Sequence, residues 1–204
     1  FFPQLVAGPI VRARDFLPQF QKDRTFLWDR LISGTGQVLW GFFKKVAIAD
    51  SLAPYVDQCF QSPQGFSSSH LLIGIVFYSF QIYCDFSGYS DIAIGLARVM
   101  GFDFPHNFRT PYFSRNFGEV WQRWHISLSS WLKDYLYISL GGNRKGKFRK
   151  YINLFVTMLL GGLWHGAGWT FIFWGLLHGF YLVVNNIWRQ VFILLKIPKN
   201  SFGF

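Results

Sequence analysis

The sequence predicts an all-α integral membrane protein that crosses the bilayer several times, and three observations carry that prediction. The 204 residues are 51% hydrophobic and 21% aromatic, and only 15% are charged, where a soluble domain averages about 25%. Long apolar runs recur at 70–84, 151–164 and 169–188, and about 20 such residues make a spanning helix. Lys and Arg total 20 against 10 acids and collect between the runs, as cytoplasmic loops do, in a position to meet anionic lipid of the bilayer. They form no basic face with interleaved polar readout residues, which argues against a nucleic-acid partner. Cys59 and Cys84 lie in no CxxC spacing and point to neither a disulfide framework nor a metal site. The sequence opens mid-element, without an initiator Met or a signal peptide. It reads as the C-terminal portion of a longer chain, with 1–204 forming one membrane-embedded domain.

Residues 1–30 carry Pro3, Pro9 and Pro18 and predict a loop or short broken helices, since proline lacks an amide donor. Residues 31–60 predict a half-buried or tilted helix ending near Pro54, with Lys44 and Lys45 snorkelling toward water. Residues 61–69 are a turn-rich loop. The run 70–84 continues past Asp85 as a spanning helix. It enters a dense polar segment in which Asp85 and Tyr89, and likewise Ser87 and Asp91, are four residues apart and share a helix face. Buried polar groups must be paired, so Asp85 and Asp91 read first as interhelical hydrogen-bonding groups and second as a polar tunnel lining. Residues 103–117 form an ordered loop in which His106 reads as a surface histidine.

Over 118–138, Trp121, Trp124, Leu128, Trp131, Tyr135 and Ile138 fall at alternating three- and four-residue steps. They predict one amphipathic helix, lying in the membrane interface or packed on other helices, with His125 at the border of the stripe. Residues 139–150 hold Arg144, Lys145, Lys147, Arg149 and Lys150 with no acid. No strand precedes Gly141-Gly142 and no GK[ST] follows, so this is a cytoplasmic loop and not a phosphate cradle. The run 151–164 then leaves the cytoplasm, and 169–188 returns toward Arg189, Lys196 and Lys199. Gly175 and Gly179 make a GxxxG pair suited to close helix contact, and His178 beside them can hydrogen-bond across helices.

The chain is organised around 151–189. Two apolar runs meet there at Gly161-Gly162-Leu163-Trp164-His165-Gly166-Ala167-Gly168, and His165 and His178 are their only acidic or basic side chains. An ionisable group inside the bilayer is a functional candidate by default. Broken backbone at membrane depth persists only where it is buried in protein or lines a cavity. A packed structural histidine is the competing reading of His165.

The strings FFPQLVAGPI, YCDFSGYSDIAIGLARVMGF, NFRTPYFSRNFGEVWQRWHISLSSWLKDYLYISLGG and LGGLWHGAGWTFIFWGLLHG resemble the membrane-bound O-acyltransferase family, in its bacterial branch. The resemblance covers roughly residues 1–190. It implies helices surrounding a central tunnel, in a multi-pass protein of the bacterial inner membrane. It matches His165 to the family's near-invariant histidine and His125 to a second polar site, with Trp124 and Trp164 beside them. It also implies an acyl thioester donor such as acetyl-CoA, no tightly bound cofactor, and acceptor hydroxyls on an exported polysaccharide such as alginate. An extracytoplasmic acetyltransferase partner would complete the transfer.

The chemistry fits. A hydroxyl becomes a nucleophile when a base takes its proton, and neutral imidazole, with a pKa of about 6.5, does this near pH 7. His165 is the candidate base, and His125 would orient the substrate or assist proton movement. Neither a GxSxG elbow nor an HExxH metal motif is present, so direct transfer is the expectation, with a transient acyl-histidine as the alternative. The alternatives are D-alanyl or other acyl transfer to a cell-wall polymer, a transporter whose solute path is lined by Asp85, Asp91 and His165, and a non-catalytic scaffold for an extracytoplasmic transferase.

Overall fold

The computed structural model describes residues 1–5 and 8–195, and every regular element among them is helical. The chain divides into two compact units, Phe1–Asn107 and Phe108–Phe204.

In the first unit, α1 spans Ala13–Phe20. α2, Trp28–Phe42, runs through a π-helical turn, Phe43–Ala49, straight into α3, Asp50–Gln61. The sequence reading ends this helix near Pro54, but Pro54 lies inside α3. The wide turn immediately upstream already loosens the ladder where the proline ring would press on the preceding carbonyl. α4, Ser68–Val99, opens on Ser67, whose hydroxyl accepts the His70 amide as an N-cap. Its 32 residues measure about 48 Å at 1.5 Å per residue. It is one of two described helices long and apolar enough to cross a membrane.

Glycine brings α2 and α4 together. A Cβ on Gly41 would stand 2.6 Å from the Gly88 carbonyl oxygen, and one on Gly95 would stand 2.5 Å from that of Gly34. Gly34 meets Gly95 and Gly41 meets Gly88, so the helices run antiparallel. The two glycines on each helix are two turns apart and present one smooth strip, which permits backbone contact without any hydrophobic driving force.

Polar groups lock the crossing just beyond Gly41. The Lys44 ammonium donates to the Ser87 hydroxyl at 2.9 Å and pairs with the Asp91 carboxylate. Gln37 Nε2 donates to the other Asp91 oxygen at 3.1 Å. Lys44 is only 7% exposed, so it does not snorkel as the sequence reading has it. The close helix approach closes its route to water, and the paired carboxylate supplies the compensation that a buried ammonium needs. Lys45, on the next position of the turn, faces outward and bridges Asp50 at 2.7 Å and Asp85 at 2.6 Å. Beneath the helices, Phe102 packs with Phe1, Phe16 and Phe104, and the Arg24 guanidinium lies 3.6 Å over the Phe102 ring.

In the second unit, α5 spans Phe117–Arg123, α6 spans Ile126–Leu132 and runs into a π-helical turn, Lys133–Tyr137, α7 spans Gly146–His165, and α8 spans Trp169–Leu194. α8 is the other helix long and apolar enough to cross a membrane. The single amphipathic helix expected over 118–138 is broken at Trp124–His125, because Trp124 is extended, φ −105° and ψ 129°, and His125 takes a left-handed conformation, φ 43°. Of the basic residues placed after the last run, Lys196 and Lys199 lie outside the described residues, and Arg189 lies within α8.

Removing one partner of a buried ion pair leaves the other uncompensated. Lys44→Met or Asp91→Leu alone should therefore cost about 3–5 kcal/mol, and the double replacement should recover most of it. Thermal unfolding of the detergent-solubilised protein measures both.

Candidate active site

The second unit gathers His125, His165 and His178 around tryptophan rings, and each is placed by a local device. Asn116 caps α5, its side-chain oxygen accepting the Glu119 amide at 3.0 Å. Glu119 returns the favour one residue earlier than in the usual capping box, accepting the Arg115 amide at 2.8 Å, and it also binds Arg123 at 2.6 Å. The Arg115 N–H first, with Arg123 assisting, holds the Glu119 carboxyl below the usual carboxylate range. Arg123 also reaches the Thr110 hydroxyl, and its carbonyl accepts the Arg109 amide at 2.9 Å. α5 thus ends pinned to the preceding loop.

At that pinned end the chain turns through His125. A left-handed conformation is uncommon for a residue other than glycine and costs free energy that the surroundings must offset. Here the strain turns the imidazole inward: His125 is 4% exposed. The His125 carbonyl starts α6 by accepting the Ser129 amide at 2.9 Å. Burial of the ring, and next the nearby His165, hold the His125 imidazole below its ordinary range. It therefore stays neutral at pH 7.

α7 and α8 form a hairpin held by backbone contact. A Cβ on Gly162 would fall 2.4 Å from the Phe171 carbonyl oxygen and 3.0 Å from Gly175 Cα, and one on Gly175 would fall 2.7 Å from the Met158 carbonyl oxygen. A Cβ on Gly179 would fall 3.2 Å from Phe155 Cα. The far ends are tied by Lys150 Nζ donating to Asn186 at 2.7 Å and by Gln190 donating to the Tyr151 hydroxyl at 2.9 Å. α7 passes helically through Gly161 and Gly162 and stops at His165; the break falls at 166–168. A side chain on Gly166 would strike the Phe171 ring at 2.7 Å, so glycine is required for that ring to reach His165.

His165 ends α7 on the exposed side of this unit. Its ring meets Trp164 edge-on at 5.0 Å and Trp174 edge-on at 5.3 Å, and it stacks on Phe171 at 6.3 Å. Trp164 also faces His125, with ring centres 6.5 Å apart. Trp174 lies 4.3 Å from the half-buried His178 ring, which Trp121 approaches at 5.2 Å and Phe117 at 5.3 Å. Trp164 thus touches both of the first two histidines and Trp174 touches both of the last two. Trp124 turns away, packing edge-on against Phe108 at 5.1 Å.

Asp85 and Asp91 lie in the first unit, on the lysines described above. Among the described residues, no three His, Cys, Asp or Glu side chains gather to hold a metal ion. Sequence reading did not single out Phe171, Trp174, Trp121 or Phe117 as neighbours of the histidines. Phe171, Trp174 and His178 stand at i, i+3 and i+7, and Phe117 and Trp121 at i and i+4, spacings that put each set on one helix face.

Among the described residues every regular element is helical, two helices are candidate spans, and a histidine–tryptophan cluster stands beside a glycine break. Residues 1–200 match the membrane-bound O-acyltransferase family, and the chain belongs to that family, which makes it part of a polytopic membrane protein. It is 54% identical to a probable alginate O-acetylase AlgI of Pseudomonas putida, over 91% of this chain and 38% of that protein. It is 48% identical to a peptidoglycan O-acetyltransferase of Helicobacter pylori, over 93% of this chain and 36% of that protein. With a teichoic acid D-alanyltransferase of Streptococcus thermophilus it shares 32% identity, over 93% of this chain and 49% of that protein. The chain spans less than half the length of each of these relatives.

Two outcomes test the geometry. Gly175→Val forces α7 from α8 and should lower stability by about 1–3 kcal/mol, the usual cost of overpacking, while shifting the His165 ring resonances. In ¹⁵N-histidine spectra, His125 should remain neutral at a pH near 6.5, where an unperturbed imidazole is about half protonated. Because its folded value is depressed, the unfolded chain takes up the proton first, so stability is retained above pH ~6.5 and falls as the pH drops below it.

Proposed function

We propose that this chain carries the histidine centre of a membrane O-acyltransferase. The enzyme passes an acetyl group from a cytoplasmic thioester, such as acetyl-CoA, to hydroxyls of an exported polysaccharide, with alginate the best-supported acceptor. The observation that carries the proposal is that His165 and His125 both meet Trp164, at the end of a helix that glycine packing fixes in place. The 54% identity to a probable alginate O-acetylase supports the acetyl and alginate assignment over D-alanyl transfer, whose relative stands at 32%.

In the proposed reaction His165 takes the proton from the acceptor hydroxyl as its oxygen attacks the thioester carbonyl. The C–O bond forms, the tetrahedral intermediate collapses, the C–S bond breaks, and the departing thiolate recovers the proton from the imidazolium. Neutral His125, which meets the same tryptophan, orients the hydroxyl or relays the proton. Trp164 and Trp174 hold the His165 ring edge-on and limit its rotation. The remainder of the longer protein would wrap these helices into a tunnel open to the donor on one side and to the acceptor on the other. An extracytoplasmic acetyltransferase would receive the group on the far side of the bacterial inner membrane. In this reading Asp85 and Asp91 serve the helix crossing of the first unit.

Replacing a general base removes about 10²–10⁴-fold of rate. In cells carrying the full-length protein, His165→Ala should therefore abolish measurable O-acetylation of the secreted polysaccharide while membrane levels stay normal. Wild-type acetylation in that strain would defeat the assignment and favour a scaffold. Solute flux through proteoliposomes without any acyl donor would favour a transporter.

A further inference from the structure

Two buried polar atoms in the second unit have no hydrogen-bond partner among the described residues: Trp121 Nε1 and His178 Nδ1. They belong to one cluster. The Trp121 and His178 rings stand 5.2 Å apart, nearly perpendicular at 81°, and both pack on Trp174, at 5.7 Å and 4.3 Å. Trp174 in turn carries His165 on its edge at 5.3 Å. A buried tryptophan N–H ordinarily finds an acceptor, and an orphaned buried polar group in a native protein calls for an explanation. Two orphans in one cluster, one ring away from the proposed base, call for a shared one.

The atoms define what they can hold. Trp121 Nε1–H is a donor only, so its missing partner must be an acceptor. His178 Nδ1 is a second donor in one neutral tautomer. Two donors suit a carbonyl oxygen, which has two lone pairs. The direction along α8 names the source. His178 lies nine residues after Trp169, about 14 Å along the axis, on the way from the glycine break toward Arg189 and the basic end of the hairpin. With the basic segment 144–150 on the cytoplasmic side, this is the direction from which a cytoplasmic thioester approaches His165.

We propose that Trp121 and His178 are donor-positioning residues, whose ring N–H groups together hold a carbonyl oxygen of the acyl donor while its thioester lies at His165. The inference rests on the acyltransferase reading and adds the place where the donor is gripped.

The test uses the full-length protein in proteoliposomes, with radiolabelled acetyl-CoA and acetyl-S-N-acetylcysteamine as donors and an oligosaccharide of the exported polymer as acceptor. Trp121→Phe keeps an aromatic ring but loses the pyrrole half of the indole together with its N–H; His178→Leu removes the second donor; His178→Asn returns an amide N–H near the Nδ1 position. Loss of one hydrogen bond to a bound ligand is worth about a factor of ten. The expected result is a rise of that size in KM for the donor with Trp121→Phe and His178→Leu, no change in KM for the acceptor, and recovery with His178→Asn. Unchanged donor KM in an active Trp121→Phe protein overturns the inference, as does a fall in kcat alone, and leaves the acyltransferase reading standing. A wild-type protein that transfers from neither donor overturns the acyltransferase reading, and the inference falls with it.

Discussion

The backbone contact between Gly162 and Gly175 is the constraint on which the second unit depends. Lipid tails are as apolar as leucine, so two helices inside a bilayer gain little from burying apolar side chains against each other. What holds them is close packing, and a Cβ at either glycine would intrude on the opposite backbone. That contact fixes the register of α7 on α8. The register in turn decides that His165, at the last position of α7, falls against Phe171 and Trp174 and not against the next turn. A shift of one helical turn along α8 would separate it from both rings. The histidine's surroundings therefore follow from residues that carry no chemistry of their own.

The first unit solves the same problem with the same residue and then adds charge. Gly34 and Gly41 lie on Gly95 and Gly88, and the strip ends at Lys44, which is buried against Ser87 and Asp91. Small residues permit the approach and polar groups fix the register, because an ion pair in such a place tolerates little displacement before one charge is left alone. The π-helical turn over Phe43–Ala49 sits where Lys44 turns inward and Lys45 outward, consistent with the tendency of such turns to re-aim side chains at functional or strained positions. The second unit aims His125 by a different device, a left-handed residue between two short helices. The stiffly capped and salt-bridged α5 on its N-terminal side supports that strain.

Much of this was legible in the residues. The apolar runs, the basic segment between them and the GxxxG spacing follow from periods and compositions that the chain carries locally. The i,i+4 relation of Ser87 and Asp91 likewise anticipates that both face one partner. The break in the tryptophan stripe was not legible. The stripe's period is intact through His125, and only the backbone angles of Trp124 and His125 interrupt it. Lys44 misled for a related reason: a lysine near a helix end snorkels unless something closes its route to water, and what closes it is a helix more than forty residues further along the chain. Pro54 misled because the loosened turn that accommodates it leaves no mark in the sequence.

By itself the sequence determined the helical class and the membrane setting, which rest on composition and short-range spacing, and the family, which rests on the resemblance of whole strings; it named the histidines as candidates. Only the tertiary structure decided which rings stand beside which. It set Trp164 against both His125 and His165, set Trp174 against both His165 and His178, and left two buried nitrogens facing no partner among the described residues. Those relations join α5, the His125 turn, α7 and α8, and they depend on how closely backbones approach, a distance that helical periodicity along any one segment does not contain.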